Sequence, residues 1–145
     1  MGFLDWLKAP KSNVEDLGNF IWVSKMAKGA GVIRAVGESL SRSDAPTVVL
    51  VVAHFEDCLA EMRRVLEESG VSDSRVFVLK ADDLKAAEYS VRGLGEPQLV
   101  ELIAAERLPL LERDDVLIKF ARQCSCRFRI SRHLSLEDPL MRVFS

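Results

Sequence analysis

Nowhere does the chain read G-x-x-x-x-G-K-[ST], so it offers no glycine-rich backbone cradle for a triphosphate. Long apolar runs are missing as well. The longest are about the length of strands, far below the roughly 20 residues that a membrane-crossing helix needs, which predicts a soluble protein. An excess of charge of one sign is also missing: 20 Lys and Arg stand against 22 Asp and Glu, a net of -2, scattered along the sequence. Without a sustained basic stripe there is no electrostatic footprint for nucleic acid, and none is expected as a partner. Cysteine is scarce and odd in number, at three. Together with a start, MGFLDWLKAP, that lacks a long apolar segment and a small-residue cleavage site, this points to reduced thiols in the cytoplasm.

The stretch that is most informative is TVVLVVA, Thr47 to Ala53. It is rich in β-branched residues and apolar without alternation, the pattern of a strand covered by helices on both faces. Such a strand needs neighbours on both edges and helices above and below. The expected fold class is therefore α/β, a three-layer α/β/α sandwich with a mostly parallel sheet of about five strands. At 145 residues the chain is long enough for one domain with its own core. Residues 1–13 read as an amino-terminal tail ending in Lys11-Ser12-Asn13, and residues 14–145 as a single α/β domain. Phe3 and Trp6 in the tail suit a short amphipathic turn that docks on the domain or touches a membrane surface, with plain disorder as the simpler reading.

Phe20-Ile21-Trp22-Val23 reads as an edge or first strand, and Ser24 as the cap of a helix whose apolar face is Met26, Ala30, Ile33, Val36 and Leu40. That helix is expected to end near Ser41. After the central strand, Phe55, Leu59, Met62, Val65 and Leu66 recur at helical steps until Gly70, which suits a left-handed cap. Cys58 falls on the apolar side, whereas Glu61, Arg63, Arg64, Glu67 and Glu68 form a wet face. Arg75 to Leu79 is the next strand, followed by a helix with Leu84, Ala87 and Val91. Pro97 suits the first turn of a further helix carrying Leu99, Leu102, Ile103 and Leu108, which Pro109 closes. Asp115 to Ala121 and Cys126 to Ile130 read as strands, the second half-exposed near an edge. Leu134 to Phe144 reads as a closing helix, with Ser135 and Asp138 resembling a capping box. Regular alternation implies parallel strands joined by right-handed crossovers.

Few residues suggest chemistry. Gly29 and Gly31 lack the third glycine of a dinucleotide fingerprint and fall inside a helical pattern, where packing or a kink explains them. Cys124 and Cys126 form a C-x-C pair near His133, yet three ligands fall short of the four that a structural zinc takes, and cysteines at alternate strand positions can simply pack together. A thiol enzyme would use Cys124 or Cys126 with His133 or His54, helped by the positive charge of Arg127, Arg129 and Arg132. The loop after Ala53, opening with His54, is the best geometric candidate for a nucleotide, although Glu56 and Asp57 would repel a phosphate. No catalytic residue, cofactor or metal is expected.

The closing stretch carries a resemblance. Leu134 to Phe144, LSLEDPLMRVF, resembles the L-S-[LM]-E-D-x-L-M-R-x-F segment that ends the second nucleotide-binding domain of SecA, the ATPase motor of bacterial preprotein export. Ala121-Arg122-Gln123 and Ser131-Arg132-His133 are similar to the family's G-R-Q-G and S-R-F pieces. Phe20 to Val23 followed by Lys25-Met26-Ala27-Lys28 is similar to the strand and E-x-K helix that open that domain, and Val76 to Lys80 falls where the family writes V-L-N-A-K. The central strand with Phe55-Glu56-Asp57 is similar to its P-V-L-V-G-T-x-S-x-E-x-S-E region. The resemblance covers roughly residues 14–145 and is specific over the last eleven. It implies a RecA-like scaffold. The family's T-N-M-A-G-R-G-T-D loop is absent here, and of its arginine motif only Lys119 and Arg122 keep the spacing. A degenerate domain without its catalytic parts is the implied reading: a non-catalytic protein-interaction module, with the export machinery as a possible partner and Leu136, Leu140, Met141 and Phe144 as a contact surface or a buried helix face. The alternatives are a nucleotide-binding protein or weak NTPase, and the thiol enzyme.

Overall fold

A computed structural model of the chain describes residues 13–42, 46–92, 99–107, 111–124 and 126–138. They form five strands, β1 (Val14–Trp22), β2 (Thr47–Ala53), β3 (Val76–Lys80), β4 (Leu99–Ala104) and β5 (Arg127–Ser135). Four helices join them: α1 (Lys25–Leu40), α2 (Glu56–Glu68), α3 (Leu84–Arg92), entered through a short 3-10 turn at Ala81–Asp83, and α4 (Leu111–Gln123). The sheet order is β1-β5-β4-β2-β3, and every pairing is parallel. Helices cover both faces, giving a three-layer α/β/α sandwich consistent with a RecA-like arrangement.

The core follows from the period-2 alternation of β2, all seven residues of which are buried. Val48, Leu50 and Val52 point to one face, where Val100, Leu102, Phe128 and Ile130 of the neighbouring strands meet Leu84 of α3 and Leu117, Phe120 and Ala121 of α4. Val49, Val51 and Ala53 point to the other, where Ile103 meets Val32 and Val36 of α1 and Cys58, Leu59, Met62 and Leu66 of α2. Burying each valine or leucine contributes about 1.5–3 kcal/mol, so both faces of β2 are costly to disturb. Connections that step one way along the sheet use the first pair of helices to form, and those that step back use the second, as a uniform crossover hand requires.

Several expectations need correcting. Leu99–Ala104 is a buried strand, not a helix: Leu99, Leu102 and Ile103 do fall at helical steps, but every residue of LVELIA is buried, which no surface helix allows. Residues 115–121, read as a strand, lie in α4, where Leu117, Phe120 and Ala121 are buried while Val116, Lys119 and Arg122 are exposed. Three consecutive apolar residues, Val116 to Ile118, imitate a strand, and only the wet residues on either side betray the helix. The strand read at Phe20–Val23 is longer and starts at Val14, and the one read at Cys126–Ile130 runs on to Ser135, so Leu134 and Ser135 belong to β5 rather than to a helix. Leu136 to Asp138 form a turn, not a helix, and residues 139–145, with Leu140, Met141 and Phe144, lie outside the described residues, as do Gly93 to Pro97 and residues 1–12 of the tail.

In α1 the buried face is Lys28, Gly29, Gly31, Val32, Val36 and Ser39, and Met26 is left 86% exposed. The face is turned because Trp22 lies against Gly31, where an added Cβ would come within 2.3 Å of the indole. Asn13 is tied to the domain rather than to the tail: its Nδ2 donates to the carbonyls of Ala121, Cys124 and Cys126, at 2.8–2.9 Å. Ser24 caps α1 as expected, accepting from the amide of Ala27 at 3.1 Å, and Gly70 takes a φ of 73° at the end of α2.

Candidate functional site

In an open parallel sheet a ligand crevice opens at the carboxyl ends of two adjacent strands whose following helices leave to opposite faces. Here those strands are β2, followed by α2, and β4, followed by α4. The turn that leads from β2 into α2 presents backbone amides at that point, the usual seat of a phosphate. The seat is occupied by the chain itself. One carboxylate oxygen of Glu106, just beyond β4, accepts from the amides of His54 and Phe55 at 2.8 and 2.9 Å.

A buried lysine completes the cluster. Lys28, 1% exposed, donates from Nζ to the carbonyl of Ala105 at 2.9 Å and to both oxygens of Asp138 at 3.0 and 3.2 Å. Asp138 reaches back to the amide of Ser135 at 2.8 Å, the half of the capping box read from the sequence, while Ser135 Oγ accepts from Glu137. Glu137 in turn accepts from the amide of Lys25 at 3.3 Å, a carboxylate at the positive end of α1. The S-L-E-D segment is thus spent on fastening the opening turn of α1 to the end of β5. Cys58 packs against the carbonyl of Ala105, and burial, with the Glu106 carboxylate beside it, pushes its thiol up, away from a reactive thiolate.

The remaining sequence candidates scatter. Cys124 and Cys126 bracket the turn between α4 and β5 and pack on the α3/α4 face, not at alternate positions of a strand. His133 lies on the opposite face, so the C-x-C pair and this histidine do not converge. Among the described residues no group of three or more His, Cys, Asp or Glu could hold a metal ion. Lys119 and Arg122 are exposed on α4, and Arg122 sits in its last turn, at the amino-terminal end of the sheet, away from the crevice. No described helix is long and apolar enough to cross a membrane.

A second polar constellation lies beneath α1, where the α1/α2 face of β1, β5 and β4 lines a cleft of about 280 Å³. At one end the ring of His133 stacks on Phe20 and lies nearly parallel to that of Trp22, whose Nε1 donates to His133 Nδ1 at 3.1 Å. Burial, helped by the charge of Lys28, lowers the imidazole to about 4 and keeps it neutral. At the other end is Glu101, 5% exposed in mid-strand, whose carboxyl burial pushes up against the pull of Arg42. Guanidinium nitrogens of Arg42 and Arg129 stand 3.2 and 3.1 Å from Glu101 Oε1. These approaches pair the charges without hydrogen-bond direction, and both Glu101 Oε1 and Arg129 Nε are buried without a hydrogen-bond partner. Sequence reasoning missed Lys28, Glu101 and Glu106. The four-residue steps linking Lys28, Val32 and Val36 were the available signal for the first, and an acid inside LVELIA for the second.

Fold and site together define a three-layer α/β protein with an all-parallel sheet, whose crevice is closed by its own carboxylate. No protein-family model matches the chain, and no curated protein matches it in sequence.

Proposed function

We propose that this chain is a non-catalytic, SecA-like module that binds a protein partner, with the protein-export machinery as the partner class. The observation that carries the reading is the state of the crevice: Glu106 stands where a phosphate would sit, and Lys28 is spent on Asp138 and Ala105. An incoming triphosphate would have to displace a carboxylate from two amides and meet Glu56 and Asp57 in the first turn of α2. The exposed apolar residues at the same end of the sheet supply what a partner would contact: Ile21, Val23, Met26, Phe55 and Leu136 are 45–86% exposed.

The resemblance to the SecA domain gains support from the way its two ends meet. The helix opening, Lys25-Met26-Ala27-Lys28, and the closing segment with Glu137 and Asp138 bond to each other although they are 110 and 112 residues apart. The test is a pull-down from the source cell with the natural chain and with Met26→Glu and Ile21→Lys, both at exposed positions. Recovery of translocation components by the natural chain and their loss with the variants supports the reading; equal recovery, or none, counts against it. The alternative of a nucleotide-binding protein or weak NTPase requires Glu106 to leave its two amides.

A further inference from the structure

We propose that the amino-terminal tail folds back on its own domain and docks Phe3, Leu4, Trp6 and Leu7 into the cleft between α3 and α4. That cleft, of about 290 Å³, is lined by Ala81 and Leu84 where α3 begins and by Val116, Phe120 and Gln123 of α4. Val116 is 44% exposed, although Leu84, Leu117 and Phe120 around it are buried. Covering such apolar surface removes it from water and is favourable. Asp82, Lys85 and Lys119 border the cleft with charge of both signs, so its apolar lining, and not an ion, decides what it holds.

The occupant follows from where the tail joins the domain. Asn13 is held at the carboxyl end of α4, where its Nδ2 donates to the carbonyls of Ala121, Cys124 and Cys126 and its own carbonyl accepts from the amide of Phe128 at 2.8 Å. Gln123, in that same turn, lines the cleft. From Gln123 back to Val116 the helix runs about 10 Å, and the link from Leu7 to Asn13 can span about 20 Å, so the tail reaches the whole cleft. The other apolar area, at Val23 and Met26, lies beyond the length of β1, about 30 Å from Asn13. Trp6, linked to Asn13 by a stretch that extends to at most about 25 Å, falls short of it. The tail also has the right pattern: in one helical turn Phe3, Leu4, Trp6 and Leu7 share a side, with Asp5 and Lys8 on the other. This cleft lies on the face of the sheet opposite α1, and the inference does not depend on the protein-binding reading.

The test is tryptophan fluorescence and nuclear magnetic resonance on the full chain. Subtracting the emission of Trp6→Phe from that of the natural chain isolates Trp6 and leaves Trp22, alone in the variant, to report that the fold is kept. Trp6 is expected to emit to the blue and to resist acrylamide at every protein concentration. Val116→Lys, at an exposed position, should move that emission to the red and raise its quenching several-fold, measured against Val116→Lys combined with Trp6→Phe. Trp6→Asp, which alters only the tail, should shift the amides of Val116, Lys119 and Gln123 and leave those of Ile21 and Met26 in place. A water-like Trp6 in the natural chain overturns the proposal, and so does burial that Val116→Lys leaves unchanged or amide shifts at Ile21 and Met26 instead. Burial that grows with protein concentration would mean the tail of a second copy, and burial only on adding phospholipid vesicles would mean a membrane surface; either result overturns docking within one chain.

Discussion

The two polar clusters of this protein differ in how completely they close. At the carboxyl ends of β2 and β4, Lys28, Asp138 and Glu106 each find partners within the chain, and the anion seat is filled. Beneath α1, Glu101 and Arg129 are close in charge but keep a buried acceptor and a buried donor unmet. A network of directed bonds fixes the positions of its members, whereas ion pairs without directed bonds leave them freer to adjust. The crevice where an α/β sheet usually binds its ligand is therefore tied shut by directed bonds here, whereas the cluster beneath α1 is held by charge alone.

Breaking the closed cluster should have the largest effect. Asp138→Ala strands the buried ammonium of Lys28, and a loss of about 3–5 kcal/mol in chemical denaturation is expected. A loss under about 1 kcal/mol would mean that the pair is not holding α1 to β5. Acid should act next, through His133. Its folded value, about 4, lies below its ordinary 6.5, so the unfolded chain binds the proton more readily. The stability it contributes is present above pH 6.5 and is lost as the pH falls toward 4, by about 3 kcal/mol in all. His133→Gln, which keeps an acceptor for the Trp22 indole, should flatten that part of the stability profile; an unchanged slope would assign the acid sensitivity to other groups.

Smaller effects sharpen the contrast. Gly31→Ala forces the indole of Trp22 to move, at a cost of about 1–3 kcal/mol, and should shift the Trp22 signals that report on the open cleft. Unshifted signals would show that α1 and β1 have room to give. Met26→Glu, on an 86% exposed residue, should change stability by no more than about 0.5 kcal/mol while removing apolar surface from the proposed contact area. A large loss of stability would mean that this residue is buried in the folded chain.

The layers were legible in the sequence because β2 announces itself: seven mostly apolar, mostly β-branched residues need cover on both faces, and they have it. The cap at Ser24 and the stop at Gly70 were equally readable, since each is a local matter of one hydroxyl or one positive φ. The exchange of strand and helix between Leu99–Ala104 and Leu111–Gln123 was not, because short apolar runs satisfy both periods and only the neighbouring layers decide between them. The sites were least legible. Lys28, Glu101 and Glu106 take their roles from partners 28 to 110 residues away, at Asp138, Ala105, His54, Phe55, Arg42 and Arg129. No spacing within one element encodes such a meeting.

The claim on which the rest depends is that Glu106 occupies the phosphate seat of the crevice. Thermal unfolding of the natural chain with saturating ATP, ADP or GTP and magnesium tests it most directly. No change in the midpoint is expected, because the amides of His54 and Phe55 are already bonded. A rise corresponding to about 2.7 kcal/mol, the stabilisation given by a ligand at a hundred times its dissociation constant, left unchanged by Glu106→Ala, would contradict it.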